Sequence, residues 1–353
     1  MFELNEKIKN LTPYDPIEGR YPIRLDANES FITLSKEMKA EIAEEIVNIH
    51  FNRYPDPYAN AVREGFAQFF NVPKECVMAG SGSDEVISVL MNAFLQKGDT
   101  VLTLSPDFSM YAFYSSVVEC KAVTVQKNAD YTIDADKVIE TANRENARLV
   151  VFSNPCNPTG RVLPKEEVRR LITSVQSLVV LDEAYMDFSD QSLLPEFAQY
   201  DNLIILKTCS KAAGMAAMRL GFAVGQERLI NVLQAVKSPY NLNTMTQTVG
   251  AILFSHPEVI RADIQRIVES RDELYAAFLK IEAEFPNAFH PIQPDANFVY
   301  VECADAAGIF EFLKEKGIVV RKMGDCLRVS AGRNYENDAV VENITLYLRG
   351  ASV

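Results

Sequence analysis

Leu178-Val179-Val180-Leu181-Asp182-Glu183-Ala184-Tyr185 runs four apolar residues into two carboxylates and a tyrosine, and how it is read decides the fold. A strand with one face in water alternates apolar and polar residues, whereas an unbroken run of this kind predicts a strand covered on both faces, the habit of parallel sheets. Val101-Leu102-Thr103-Leu104, Leu149-Val150-Val151-Phe152 and Leu203-Ile204-Ile205-Leu206 read the same way, each followed by polar or glycine residues and then a helical stretch. From about residue 75 to 225 the chain therefore predicts a large α/β domain of βαβ units around a mostly parallel sheet. In such sheets the carboxyl ends of the strands meet at a ligand crevice, so Ser153-Asn154, Asp182-Glu183 and Lys207-Thr208 are expected to converge there.

Outward from this block the pattern changes. From about 246, with a break near Pro257, a long helical stretch carries Val259, Ile260, Ile264, Ile267, Val268 and Leu274 at three- and four-residue spacing, and is expected to lead out of the large domain. A strand over 297–301, a helix over 307–316 closed by Gly317, strands near 318–321 and 327–330 and a final helix predict a small α+β domain. At the other end Pro13, Pro16 and Pro22 interrupt any regular pattern, which predicts an arm followed by a helix packed on the small domain. The expected division is 1–45 for the arm and its small-domain contribution, 46–245 for the large domain, and 246–353 for the interdomain helix and small domain.

Composition narrows the function classes. With 35 basic and 48 acidic residues among 353, the net charge of −13 has the wrong sign for a broad nucleic-acid surface, so an anionic ligand must be held locally. The 48% hydrophobic and 24% charged residues are those of a soluble globular protein, and no apolar run approaches the ~18 residues of a membrane span. The N-terminus lacks a basic and then apolar leader, and the cysteines at 76, 120, 156, 209, 303 and 326 form no CxxC pair. A cytoplasmic protein without membrane or nucleic-acid partners is expected. His50, His256 and His290 stand far apart without ligand spacing, so no metal site is expected either.

Four segments carry chemistry. Thr208-Cys209-Ser210-Lys211-Ala212-Ala213-Gly214 sets a lysine just after a strand among small residues that leave room for a planar group. Such a lysine is either a surface or phosphate-contacting cation or the partner of a carbonyl cofactor in a Schiff base. Arg219, eight residues on, adds a guanidinium to the Thr208 and Ser210 hydroxyls as donors for a phosphate. A carboxylate at Asp182, buried at a strand end, needs a cation. A protonated pyridine nitrogen would supply one, with Tyr185 donating to the ring hydroxyl; a Mg²⁺-binding carboxylate pair is the other reading, but no P-loop accompanies it. Asn154-Pro155-Cys156-Asn157-Pro158-Thr159-Gly160 is a rigid turn whose Asn157 amide is free to bond a ring oxygen. Gly80-Ser81-Gly82-Ser83-Asp84-Glu85 opens a helix, where Ser83 and Asp84 are candidates to cradle an anion.

In this order the four segments resemble the fold-type I pyridoxal-phosphate-dependent aminotransferases, and the resemblance runs over essentially the whole chain. It implies pyridoxal 5′-phosphate as cofactor, with Lys211 as its covalent attachment and catalytic base. Asp182 would pair with the pyridine nitrogen, Asn157 and Tyr185 hold the ring hydroxyl, and Thr208, Ser210, Arg219, Ser83 and Asp84 surround the phosphate. Pro106-Asp107-Phe108 matches the segment whose aromatic residue stacks on the ring, which assigns that place to Phe108, where a tyrosine is usual.

Leu11-Thr12-Pro13-Tyr14, Leu25-Asp26-Ala27-Asn28-Glu29 and Asn52-Arg53-Tyr54-Pro55-Asp56 are similar to the arm motifs of the histidinol-phosphate aminotransferase family. That likeness implies a homodimer in which Tyr54 reaches the partner's cofactor phosphate, and a substrate pocket closed by Tyr14 and lined by Asn28. Cys326-Leu327-Arg328-Val329-Ser330-Ala331-Gly332 resembles the family strand whose arginine binds a substrate carboxylate or phosphate, with Arg321 as a second cation across a turn shorter than the usual one. The implied reaction is reversible amino transfer between L-histidinol phosphate and 2-oxoglutarate, giving imidazole acetol phosphate and L-glutamate. An aromatic or broad-specificity aminotransferase and a threonine-phosphate decarboxylase-like lyase share the motifs, and a sensor using the fold without turnover is the reading outside enzymes.

Overall fold

The computed structural model describes residues 2, 3, 5–9, 11 and 17–351. In chain order its elements are β1 (Ile23–Leu25), α1 (Lys36–Val47), α2 (Asn60–Phe70), β2 (Val77–Ser81), α3 (Gly82–Phe94), β3 (Thr100–Ser105), α4 (Met110–Val117), β4 (Lys121–Gln126), α5 (Ala135–Arg144), β5 (Leu149–Ser153), α6 (Lys165–Ser174) and β6 (Leu178–Asp182). There follow β7 (Leu203–Thr208), β8 (Leu220–Gly225), α7 (Glu227–Val236), α8 (Thr244–Ser255), α9 (Pro257–Glu284), β9 (Phe289–Ile292), β10 (Phe298–Cys303), α10 (Ala306–Glu315), β11 (Ile318–Met323), β12 (Cys326–Ser330) and α11 (Asn334–Ala351).

Seven strands form the large sheet in the order β2-β8-β7-β6-β5-β3-β4. Neighbours from β4 to β7 are parallel, and β8 alone runs against the rest. The apolar runs earn their two-faced burial by strand alternation. Val150, Phe152, Val179, Leu181, Leu203 and Ile205 pack into one core, while Leu149, Val151, Val180, Ile204 and Leu206 pack into a second core on the opposite face. This is an α/β fold with a mostly parallel sheet, as its sequence predicts.

The second sheet, β1-β11-β12-β10-β9, is antiparallel except for β1, which pairs parallel with β11. Two placements differ from expectation. Helix α1, expected on the small domain, packs against α8, and its Ile42 lies on the large-sheet core. Helix α8, expected to begin the path out of the large domain, contributes Val249, Leu253 and Phe254 to that same core. The connector is α9, whose Ile260 joins the large core and whose Leu274, Phe278 and Ile281 join the small one. An apolar stripe announces that a helix has a buried face but not which sheet covers it.

Candidate active site

A cavity of about 370 Å³ lies at the carboxyl ends of the large-sheet strands, and strand parity selects which terminal residues enter it. Ser153, Asp182 and Thr208 share the face of Val151, Val180 and Leu206 and line the cavity. The other three residues expected at the crevice do not. Glu183 and Lys207 point to the opposite face, where they pair with each other at 3.8 Å while Lys207 also meets Asp187 at 2.6 Å, and the Asn154 amide is consumed by both backbone groups of Leu163.

Asp182 is 4% exposed and accepts hydrogen bonds from the Tyr111 hydroxyl at 2.7 Å and the Ala184 N–H at 3.0 Å. Burial pushes its pKa up to about 6 against these two bonds, which favour the anion. Tyr111, itself buried beside Asp182 and Asp107, is held firmly as the neutral phenol. Sequence reasoning missed Tyr111: it belongs to α4, and only the folding of that helix over the sheet brings it to the end of β6. No local pattern signals such a contact.

The lysine and its neighbours gather around the same cavity. Lys211 Nζ donates to the Ala27 carbonyl at 2.9 Å and lies 5.8 Å from the centre of the Tyr185 ring. The Tyr185 hydroxyl accepts from the Asn28 amide at 2.9 Å, and Asn28 is fixed in turn by its N–H to Ser330 Oγ at 2.9 Å. Phe108 lines the cavity and meets Tyr111 edge-on with ring centres 5.5 Å apart.

At one end, Thr208 Oγ1 and Ser210 Oγ are 3.1 Å apart, and Arg219 reaches Ser210 Oγ at 3.5 Å and Asp84 at 3.1 Å. Ser83 and Asp84 occupy the first turn of α3, whose exposed N–H groups favour an anion. Two glycines allow this closeness: a Cβ on Gly82, where φ is +81°, would meet Arg219 Nη2 at 2.6 Å, and one on Gly221 would meet the Ser83 nitrogen at 2.3 Å. Arg219 is itself left-handed, with φ +51°, a backbone cost that sets its guanidinium in the cavity wall.

At the other end, Arg328 is 8% exposed and donates to Asn157 Oδ1 at 2.6 Å and the Asp26 carbonyl at 2.8 Å, with Phe298 under its guanidinium at 5.4 Å. Arg321 lies opposite Arg328 across β11 and β12, and both line the cavity, so the short turn does carry Arg321 to the site. Tyr54 is elsewhere: 80% exposed, it stacks on Tyr240 at 4.4 Å and does not line its own chain's cavity. Tyr14 lies outside the described residues.

The family model for aminotransferase class I and II matches residues 22–344 of this chain. A histidinol-phosphate aminotransferase of Clostridium novyi is 38% identical over 96% of this chain and 95% of its own length. One from Clostridium kluyveri is 36% identical over 98% of both. Among solved structures, histidinol-phosphate aminotransferase from Sinorhizobium meliloti in complex with pyridoxal-5′-phosphate superposes with a TM-score of 0.88 at 20% identity, covering 99% of each chain, which shows the shared fold.

Proposed function

Because the chain belongs to the class I and II aminotransferase family, we propose that it moves the amino group of L-histidinol phosphate to 2-oxoglutarate, giving imidazole acetol phosphate and L-glutamate. The observation that carries this choice of substrate is the pair Arg321 and Arg328, cross-strand neighbours lining the cavity that also holds Lys211 and Asp182. A phosphate ester extends farther and bears more charge than an α-carboxylate, and two guanidiniums suit it better than one.

The residues present fit pyridoxal 5′-phosphate. Asp182 is a buried carboxylate hydrogen-bonded by groups without positive charge, a place that a protonated ring nitrogen would complete. Thr208, Ser210, Arg219, Ser83 and Asp84 would take the phosphate, Asn157 and Tyr185 the ring oxygen, and Phe108 one face of the ring. When bound, this cofactor supplies an aldehyde for amine attachment and a ring that accepts the electron pair left by the departing α-proton. Lys211 anchors it and moves that proton at Nζ. The lysine's one neutral hydrogen bond, to Ala27, is worth about 1 kcal/mol and is readily exchanged for a stronger partner. Arg328, held by Asn157 and the Asp26 carbonyl with Phe298 beside its guanidinium, orients the substrate anion while donor and acceptor alternate.

A homodimer in the cytoplasm is part of the same proposal. Phe51, Tyr54, Tyr58 and Tyr240 are 76%, 80%, 58% and 46% exposed, an aromatic surface more fitting for a subunit contact than for water, and Tyr54 would serve the partner's phosphate site.

The test is a panel of histidinol phosphate, phenylalanine, tyrosine and threonine phosphate with 2-oxoglutarate, reading glutamate and CO₂. Highest kcat/KM for histidinol phosphate with glutamate formed supports the proposal. CO₂ from threonine phosphate without glutamate makes the chain a lyase, and a preference for the aromatic donors makes it an aromatic aminotransferase.

A further inference from the structure

In the cavity wall Asp107 forms an ion pair, with Lys127 behind it, that the proposed chemistry does not use. Lys127 Nζ stands 3.5 Å from Asp107 Oδ2, with the two side chains 1% and 2% exposed. Charges so deeply buried are destabilising unless they are matched, and burial still holds the Asp107 carboxyl above its ordinary range against Lys127 and its hydrogen bonds, so the anion depends on these partners. Burial, the largest single influence, would lower the Lys127 pKa, but Asp107 and Cys156 together outweigh it and the ammonium is retained. The ammonium also donates to Cys156 Sγ at 2.7 Å, and the Lys127 N–H holds the Ser105 carbonyl at 2.9 Å.

The Asp107 carboxylate reaches forward from this pair. Its Oδ1 accepts from the Phe108 N–H at 2.7 Å and from the Ser153 hydroxyl, and the Ser153 N–H lies 3.4 Å from both of its oxygens. Ser153 Oγ accepts in turn from the Asn157 N–H at 3.0 Å. One carboxylate thereby fixes the backbone of two residues from different loops, one after β3 and one after β5. These are the residues assigned to a face of the cofactor ring and to its oxygen.

We propose that Lys127 and Asp107 are positioning residues: Lys127 anchors the Asp107 carboxylate, which ties Phe108 directly and Asn157 through Ser153 to a single rigid point and so sets the orientation of the cofactor ring. The inference rests on the reading of the site as a pyridoxal-phosphate site. Nothing in it requires Lys127 to touch cofactor or substrate. Removing Lys127 leaves the Asp107 anion without its cation in the wall that also holds Asp182. Such a carboxylate takes a proton or turns toward solvent, and either change loosens both loops.

The experiment compares wild-type holoenzyme with Lys127→Met, Lys127→Arg, Asp107→Asn and the Lys127→Met/Asp107→Asn double variant. It reads the circular dichroism of the cofactor's visible band, the pyridoxal-phosphate Kd, kcat and KM separately, and the melting temperature. Lys127→Met and Asp107→Asn are each expected to diminish the visible dichroic band, weaken cofactor binding by about 10-fold and lower kcat more than they raise KM. Lys127→Arg restores most of the band, and the double variant is less impaired than Lys127→Met because the stranded carboxylate is gone. Variants that melt earlier but keep the band and the Kd would make the pair a structural staple and overturn the inference. Should Lys127→Met fail to fold, Asp107→Asn, which preserves shape, decides in the same way. A wild-type chain that binds no pyridoxal phosphate overturns instead the reading beneath the inference, a result separable from unchanged variants of a binding-competent enzyme.

Discussion

Asp182 shows how a single buried group can bias the whole chain toward a ligand. Its carboxyl, raised by burial to about 6, titrates near 3.9 when unfolded, so between about pH 4 and 6 the folded chain keeps a proton that the unfolded chain has released. Stability contributed by this group therefore falls as pH rises through that window, by about 3 kcal/mol for a shift of about two units. When cofactor-free wild-type enzyme and Asp182→Asn are unfolded in denaturant at pH 4 and pH 7, the difference between their two pH dependences should equal this loss, the other carboxyls cancelling between them. In the loaded enzyme the same substitution should weaken pyridoxal-phosphate binding by about 10- to 150-fold, since a charged hydrogen bond of about 1.5–3 kcal/mol is lost. The arginines admit a parallel comparison. Arg328→Ala should depress kcat/KM for histidinol phosphate and phenylalanine alike, whereas Arg321→Ala should depress it about 10- to 150-fold for the phosphate ester and much less for phenylalanine. A ratio of the two kcat/KM values unmoved by Arg321→Ala would remove the main support for a phosphorylated donor. That Lys211, Asp182, Asn157 and Arg219 would meet in one cavity was legible because each sits in a compact motif beside a strand terminus. Tyr111, Asp107 and Lys127 were not, because their meaning arises from contacts between separate elements.

Among elements, the tightest fit near the site is β8 against the first turn of α3, where Gly221 leaves no room for a side chain beside the Ser83 nitrogen. Gly221→Ala should push that turn outward, costing about 1–3 kcal/mol of stability in thermal or denaturant unfolding. The displaced turn carries Ser83 and Asp84, at the end of the cavity proposed to take the phosphate. Binding of pyridoxal 5′-phosphate should accordingly suffer far more than binding of pyridoxal, and equal losses for the two would place the damage elsewhere. Strands were well read from sequence because burial on both faces leaves an unmistakable apolar run, and their ends fall where expected. The convergence of residues at those ends was overstated: parity admits Ser153, Asp182 and Thr208 and turns Glu183 and Lys207 away. Helices α1 and α8 were harder for the reason already visible in α9, which touches both cores along one continuous stripe.

For the molecule as a whole, the proposed dimer makes a quantitative claim. In an equal mixture of Lys211→Ala and Tyr54→Ala chains, half of the dimers are hybrids, and in each hybrid one site has its own Lys211 and the partner-donated Tyr54. About a quarter of wild-type activity should return after subunit exchange if Tyr54 acts across the interface. If it acts within its own chain, none should. The overall architecture was largely legible, since the alternation of strand and helix between 77 and 225 dictates a doubly covered sheet. The part hidden from sequence was the closure of the small sheet, where β1 pairs Ile23–Leu25 with Ile318–Val320. That pairing has a consequence in time. On a ribosome the large sheet can be complete once Gly225 has emerged, but β1, made early, must wait for its partner strand at Ile318–Val320, and the Asn28–Ser330 and Asp26–Arg328 contacts wait with it. Every nascent chain thus carries a finished large sheet with an unfinished pocket until β11 and β12 have been made, and competence to hold substrate arrives only with them.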